Sequence, residues 1–174
     1  MIPRQEMVLQ LRAAQDARRD PDLFLIARTD AGALLGLEEA IRRANAYAAA
    51  GADVAFVEAP QSRAELVEVA QRVSVPLLVN MFEGGKTPLV PLRDLEAMGY
   101  RIVIIPSDLQ RALIRAMQEV AEAIQRDGDS RALAHRLATF QERGALVGLD
   151  RAQALEARYL RGAAAPDGRR RKVP

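Results

Sequence analysis

The sequence predicts an α/β fold built on parallel strands, and three observations predict it. Short apolar runs recur roughly every 22–30 residues, each stops at a polar or proline-bounded tip, and each is followed by a helix-forming segment. Spacing of this size demands crossover connections, so the strands run parallel with helices outside. Four such units suit either a small open sheet or half of an eight-stranded barrel. An open sheet offers one crevice at its switch point. Here all four strands end in polar or proline tips, which fits the rim of a barrel better.

Taken in order, residues 3–19 are expected to form a helix. Pro3 suits the first turn, and Met7, Val8, Leu11 and Ala14 fall on one face. Asp20-Pro21-Asp22 breaks it. Leu23 to Ala27 is apolar without alternation, the pattern of a strand buried on both faces, and Arg28-Thr29-Asp30 tips it. Gly36 to Ala50 is rich in strong helix formers, with Gly51 as a left-handed stop. Asp53 to Val57 is the second strand, tipped by Glu58-Ala59-Pro60. Ser62 and Glu65 then have capping-box spacing for a helix to about Val73. Pro76 to Val79 is the third strand, tipped by Asn80, and the loop MFEGGKTPLV follows. A short helix begins at Pro91 and ends at Gly99. Arg101 to Ile105 is the fourth strand, tipped by Pro106-Ser107-Asp108. A long helix runs to about Asp127, with helices near 130–142 and 150–160 after it. The expected organisation is a half-barrel over 1–128, helices over 129–161, and a disordered basic tail over 162–174.

The totals exclude several classes. With 174 residues, 49% apolar and 28% charged, the chain can bury a core as one globular domain. It has no Cys, which removes disulfides and thiolate chemistry. No apolar stretch approaches the length of a membrane span, and the first residues lack a signal-peptide core, so a cytoplasmic protein is expected. The basic pI does not point to nucleic acid. Residues 161–174 carry a net charge of +4 against +2 for the whole chain, so the remainder is acidic by two. The run from Arg169 to Lys172 is expected to be a solvated tail, and His135, the single histidine, a surface residue of a polar late helix.

FLIARTDA, DVAFVEAPQS, VPLLVNMFEGGKTP and LEAMGYRIVIIPSDLQRA, in this order and spacing, resemble the isocitrate lyase / phosphoenolpyruvate mutase superfamily. Within it the chain is most similar to enzymes of the 2-methylisocitrate lyase, oxaloacetate decarboxylase and dimethylmalate lyase type. The resemblance covers about residues 4–130 and implies strands five to eight of a TIM-type barrel, with extra C-terminal helices. The family's first four strands have no counterpart here. In the family those strands carry the aspartates that hold Mg²⁺ through water, an oxyanion-binding loop and the gating loop. The resemblance therefore implies a truncated or split member, with Mg²⁺ as the family cofactor and its usual aspartate ligands absent. Asp20-Pro21-Asp22 lies at the wrong end of its strand to replace them.

The implied chemistry is cleavage of a carbon–carbon bond in a 2-hydroxy- or 2-oxo-dicarboxylate through an enolate. Arg28 has the fork geometry for a carboxylate and the charge for a developing enolate, and its bland alternative is an ion pair with Asp30 or Glu58. Glu58 is implied as a catalytic residue that orients a group or touches the metal's water shell, with no direct metal ligand in the chain. Asn80 is implied to bind a substrate carboxylate, the alternative being a cap on the next loop. Thr29 and Asp30 are expected to fix the Arg28 loop by local hydrogen bonds. Lys86 lies in a Gly-Gly-Lys loop without P-loop spacing, and is read as structural or as part of the rim. Expected partners are a small carboxylate substrate and either further copies of this chain or a complementary half-barrel, with no nucleic acid and no membrane. The runner-up is a non-catalytic half-barrel that only binds an acid or assembles with a partner.

Overall fold

The structure, a computed structural model, describes residues 1–163. Its elements run α1 (Arg4–Ala17), β1 (Ile26–Thr29), α2 (Ala31–Leu35), α3 (Leu37–Ala49), β2 (Val54–Val57), α4 (Arg63–Arg72), β3 (Leu77–Asn80), α5 (Leu92–Met98), β4 (Tyr100–Ile104) and α6 (Asp108–Asp127). A 3₁₀ turn (Arg131–Arg136), α7 (Phe140–Leu146) and α8 (Leu149–Ala163) follow. The chain divides into two compact units, Met1–Arg115 and the residues from Ala116 onward.

The first unit is a four-stranded parallel sheet in the order β1-β2-β3-β4, so chain order equals spatial order and β1 and β4 are its edges. This is the α/β partial barrel that the strand tips predict. One sheet face is covered by helices. Ala55 and Val57 of β2 and Leu77 and Val79 of β3 pack against Ile41 of α3, Leu66 and Val69 of α4 and Leu95 of α5. Leu66, Val69 and Leu95 are fully buried, each contributing roughly 1.5–3 kcal/mol of hydrophobic stabilisation. Val8 and Leu11 of α1 close over Ala27 and Tyr47. The opposite face carries Val54, Phe56 and Leu78, with Ile102 packed against them. The strand register puts Ile26 and Arg28, Asn80 and Ile104 on that same face. Ile26 and Ile104 are exposed there.

The first strand differs from the expectation of Leu23 to Ala27. It begins at Ile26 and includes Arg28 and Thr29. Leu23 and Phe24 are 55% and 68% exposed. The reason lies in Asp53. Its Oδ2 accepts from the Leu25 amide at 2.8 Å and from Arg18 Nη1 at 2.7 Å, while the Leu25 carbonyl accepts from the Asp53 amide at 2.9 Å. The chain is thus fastened one residue before the ladder begins. As an edge strand β1 is also buried on one face only, Ala27 and Thr29 inward and Ile26 and Arg28 outward.

The helix expected over Gly36 to Ala50 is α3, and the five-residue helix α2 before it was not expected. Gly36 stands between α2 and α3 at φ 86°, a conformation for which glycine carries no Cβ penalty. Ser62 caps α4 as expected, accepting from the Glu65 amide at 3.1 Å. The returning Glu65 carboxylate accepts from the Gln61 amide at 2.7 Å, one residue before the position a capping box requires. The single helix expected near 130–142 is a 3₁₀ turn, then extended backbone at Leu137, then α7. Thr139 and Glu142 form a full capping box that starts α7, and this cap sets a new helix where the apolar period alone suggested a continuous one. His135 is exposed in the 3₁₀ turn. Of the tail expected over 162–174, residues 162 and 163 end α8 and the remainder lies outside the described residues.

Candidate active site

The carboxyl ends of β1, β2 and β3 bring Arg28, Glu58 and Asn80 to the edge of one cleft of about 340 Å³. Arg28 is the third residue of β1 and stands in register with Phe56 of β2. Its guanidinium lies 5.0 Å from the Phe56 ring centroid, a cation–π contact that fixes the side chain over the sheet. Glu58 follows β2 by one residue, and its amide donates to the Thr29 carbonyl at 2.9 Å, extending the β1–β2 ladder to the tip. Asn80 is the last residue of β3. The three expected residues therefore share one end and one face of the sheet: Arg28 is in register with Phe56, and Glu58 and Asn80 lie two residues beyond Phe56 and Leu78 of the apolar cluster on that face.

Their polar contacts form a chain. Arg28 donates to Asp30 twice, Nε to Oδ2 at 3.0 Å and Nη2 to Oδ1 at 2.7 Å. Its Nη2 also lies 3.5 Å from Glu58 Oε2, and Asn80 Nδ2 donates to the same oxygen at 3.4 Å. Both bland partners of Arg28, Asp30 and Glu58, are thus present alongside the cleft. The hydrogen bonds from Arg28 hold the Asp30 carboxyl below the usual carboxylate range. The same bonds, reinforced by the charge of Glu58, raise the Arg28 guanidinium. The Thr29 hydroxyl accepts from the Ala31 amide at 3.3 Å and is buried, so it shapes the turn into α2 rather than facing the cleft. Ala59, directly after Glu58, has φ 55°, a strained setting for a residue with a Cβ and one that clusters at functional sites.

The loop after β3 also lines the cleft, with Phe82, which the sequence did not single out, and Lys86, read there as structural or part of the rim. Gly84 has φ 81°, and a Cβ on Gly85 would stand 3.1 Å from the Phe82 ring, so the Gly-Gly pair lets the loop fold tightly toward the cleft. The glycines were the available signal. What the sequence does not show is that the loop turns over the tips and not away from them.

Mg²⁺ prefers an octahedron of oxygens, with one or two carboxylates at its core. In the cleft Asp30 is committed to Arg28, and Glu58 to Arg28 and Asn80. Among the described residues no three His, Cys, Asp or Glu side chains gather around a common point. The described residues of the cleft do not fit a Mg²⁺ ion that they would ligate directly. No helix among the described residues is long and apolar enough to cross a membrane.

Comparison with known proteins agrees with this layout. The model of the family described as phosphoenolpyruvate phosphomutase matches residues 1–125. Carboxyvinyl-carboxyphosphonate phosphorylmutase of Arabidopsis thaliana is 41% identical over 162 residues, covering 91% of this chain and 48% of that protein. The 2,3-dimethylmalate lyase of Eubacterium barkeri is 36% identical, over 93% of this chain and 56% of its own. A crystal structure of 2,3-dimethylmalate lyase superposes with a TM-score of 0.81 at 36% identity, covering 97% of this chain and 56% of that one. A phosphonopyruvate hydrolase complexed with oxalate and Mg²⁺ superposes at 0.78 with 33% identity, over 92% of this chain and 57% of that one. The chain spans about half the length of the curated relatives it matches. A family match across most of the chain, joined to the sheet and strand-tip arrangement above, establishes that the chain belongs to the phosphoenolpyruvate phosphomutase family of the PEP mutase/isocitrate lyase superfamily.

Proposed function

We propose that these residues form half of the catalytic barrel of a carbon–carbon lyase acting on 2-hydroxy- or 2-oxo-dicarboxylates through an enolate. The observation that carries the reading is the convergence of Arg28, Glu58 and Asn80 on one cleft at the carboxyl ends of three adjacent strands. In this reading Arg28 binds a substrate carboxylate and stabilises negative charge as the bond breaks. Asn80 turns its amide from Glu58 to a substrate oxygen. Glu58 stays between them as the carboxylate that orients the reacting group. Mg²⁺, which the reading includes as cofactor, takes its direct ligands from residues other than these. Four further strands complete the barrel, supplied from outside these 174 residues or by further copies of the chain. The open edges of β1 and β4 and the half-length match to the relatives support this.

The test pairs this chain with the amino-terminal half of the Eubacterium barkeri 2,3-dimethylmalate lyase, expressed together and purified as a complex. Mg²⁺-dependent release of a 2-oxo acid from a 2-hydroxy diacid is expected from the complex and not from this chain alone. Arg28→Ala should lower that turnover roughly 10²-fold or more, the usual cost of one charge-stabilising group. A well-assembled complex without turnover, in which Arg28→Ala also leaves carboxylate binding unchanged, favours the non-catalytic binding module instead.

A further inference from the structure

We propose that Lys86 is the specificity-determining residue of the cleft, taking the second carboxylate of a dicarboxylate ligand. This rests on the reading that a first carboxylate binds at Arg28.

The argument begins with charge. Arg28, Lys86, Asp30 and Glu58 are the charged side chains lining the cleft. Arg28 is doubly hydrogen-bonded to Asp30 and paired with Glu58. Without Lys86 the cleft would carry one positive and two negative charges and would repel an anion. With it the cleft is neutral, and its positive charge is split between two places. A dianion with a carboxylate at each end matches such a split, and a monoanion uses only one half of it. Among the described residues Lys86 makes no ion pair or side-chain hydrogen bond, and it is exposed. An ammonium on a flexible stem is therefore free to turn to a ligand.

The loop that carries Lys86 is held, although its side chain is not. The Gly85 amide donates to the Phe82 carbonyl at 3.2 Å, and Arg111 Nη1 donates to the Glu83 carbonyl at 2.6 Å. The Phe82 ring packs against Gly85 so closely that a Cβ there would stand only 3.1 Å from it. A fixed backbone bearing a free cation is suited to discriminate by ligand length. A lysine on a solvated convex surface has no such setting.

The experiment titrates the ¹⁵N-labelled 174-residue chain with L-malate and L-lactate, which differ by one carboxylate, at constant ionic strength. Wild type is expected to bind malate about five-fold more tightly than lactate, the upper end for a partly exposed ion pair. Lys86→Gln should erase the difference by weakening malate alone, and Lys86→Arg should retain it. Arg28→Ala should weaken both acids. If Lys86→Gln leaves the malate-to-lactate ratio unchanged while Arg28→Ala still weakens both, the assignment of Lys86 fails and the Arg28 reading stands. If neither acid shifts the amides of Gly85 and Thr87, or if Arg28→Ala has no effect, the Arg28 reading fails and takes the Lys86 assignment with it.

Discussion

Replacing Asp53 should unfasten the amino end of β1, far from the cleft. One carboxylate oxygen accepts from Arg18 Nη1 at 2.7 Å and from the Leu25 amide at 2.8 Å. Hydrogen bonds to charged groups contribute about 1.5–3 kcal/mol each. The Asp53 side chain is 31% exposed and that of Arg18 is 16% exposed, so the lower end applies. Asp53→Ala removes both bonds and should cost about 3 kcal/mol. Asp53→Asn keeps an acceptor for the Leu25 amide and loses the charge opposite Arg18, for about 1.5 kcal/mol. At about 4 °C per kcal/mol for a domain of this size, the midpoints should fall by about 12 °C and about 6 °C. Thermal melting followed by far-ultraviolet circular dichroism measures the two shifts. Amide exchange at Leu25 measures the local effect, which should accelerate in Asp53→Ala beyond what the global loss accounts for. Equal shifts for the two variants, or shifts within about 0.5 kcal/mol of wild type, would refute the claim that Asp53 decides where the strand begins.

Two further outcomes follow from the same structure. Tyr100 is buried and donates its hydroxyl to the Leu66 carbonyl at 3.2 Å, and burial pushes its ionisation up. A raised value favours the protonated folded state, so this contribution is complete below the unfolded pKa of about 10 and is lost as pH rises above it. Stability measured in urea should fall above that pH, and Tyr100→Phe should flatten the fall while costing about 1 kcal/mol at neutral pH; an unchanged alkaline slope in the variant would sink the assignment. The open edges of β1 and β4, with Ile26, Ile104, Ile105 and Leu109 all exposed, lead us to expect self-association of the chain expressed alone. Light scattering over a concentration series tests this, and a compact monomer that binds no apolar dye would overturn it.

The sheet was legible because parallel strands leave a strong trace. Val54 to Val57 and Leu77 to Val79 are continuous apolar runs, and both became interior strands. The same criterion slipped at β1, where Leu23 and Phe24 extend the apolar run but lie outside the sheet. Hydrophobicity marks a run, whereas its register depends on a partner, here the Asp53 carboxylate 28 residues away. The start at Thr139 shows the complementary case. Local chemistry, a capping box, set a helix start inside a helical period that continued through it. In the site, Arg28, Glu58 and Asn80 were legible as strand tips. The bidentate clamp from Asp30 was half legible, since a residue two places on is within local reach. Lys86 was legible only as structural or as part of the rim, because its place at the cleft depends on which way a glycine loop turns.

The clamp bears on how such a cleft can bind anything. Arg28 is not waiting uncompensated for a ligand. Asp30 accepts from its Nε and Nη2, Glu58 stands 3.5 Å from Nη2, and Phe56 lies beneath. An arriving carboxylate at Arg28 must therefore share or displace a carboxylate already there. The exchange is nearly neutral in charge, so Arg28 gives orientation more than affinity. The electrostatic contribution to affinity then has to come from a cation whose pairing begins only with the ligand. Lys86 is the lining cation without a partner among the described residues. A site arranged this way keeps its arginine in place when empty and reserves its selectivity for the far end of the ligand. Arg28→Lys should for that reason be poorly tolerated although charge is kept, since an ammonium cannot hold the two parallel bonds to Asp30 that set the angle of the fork.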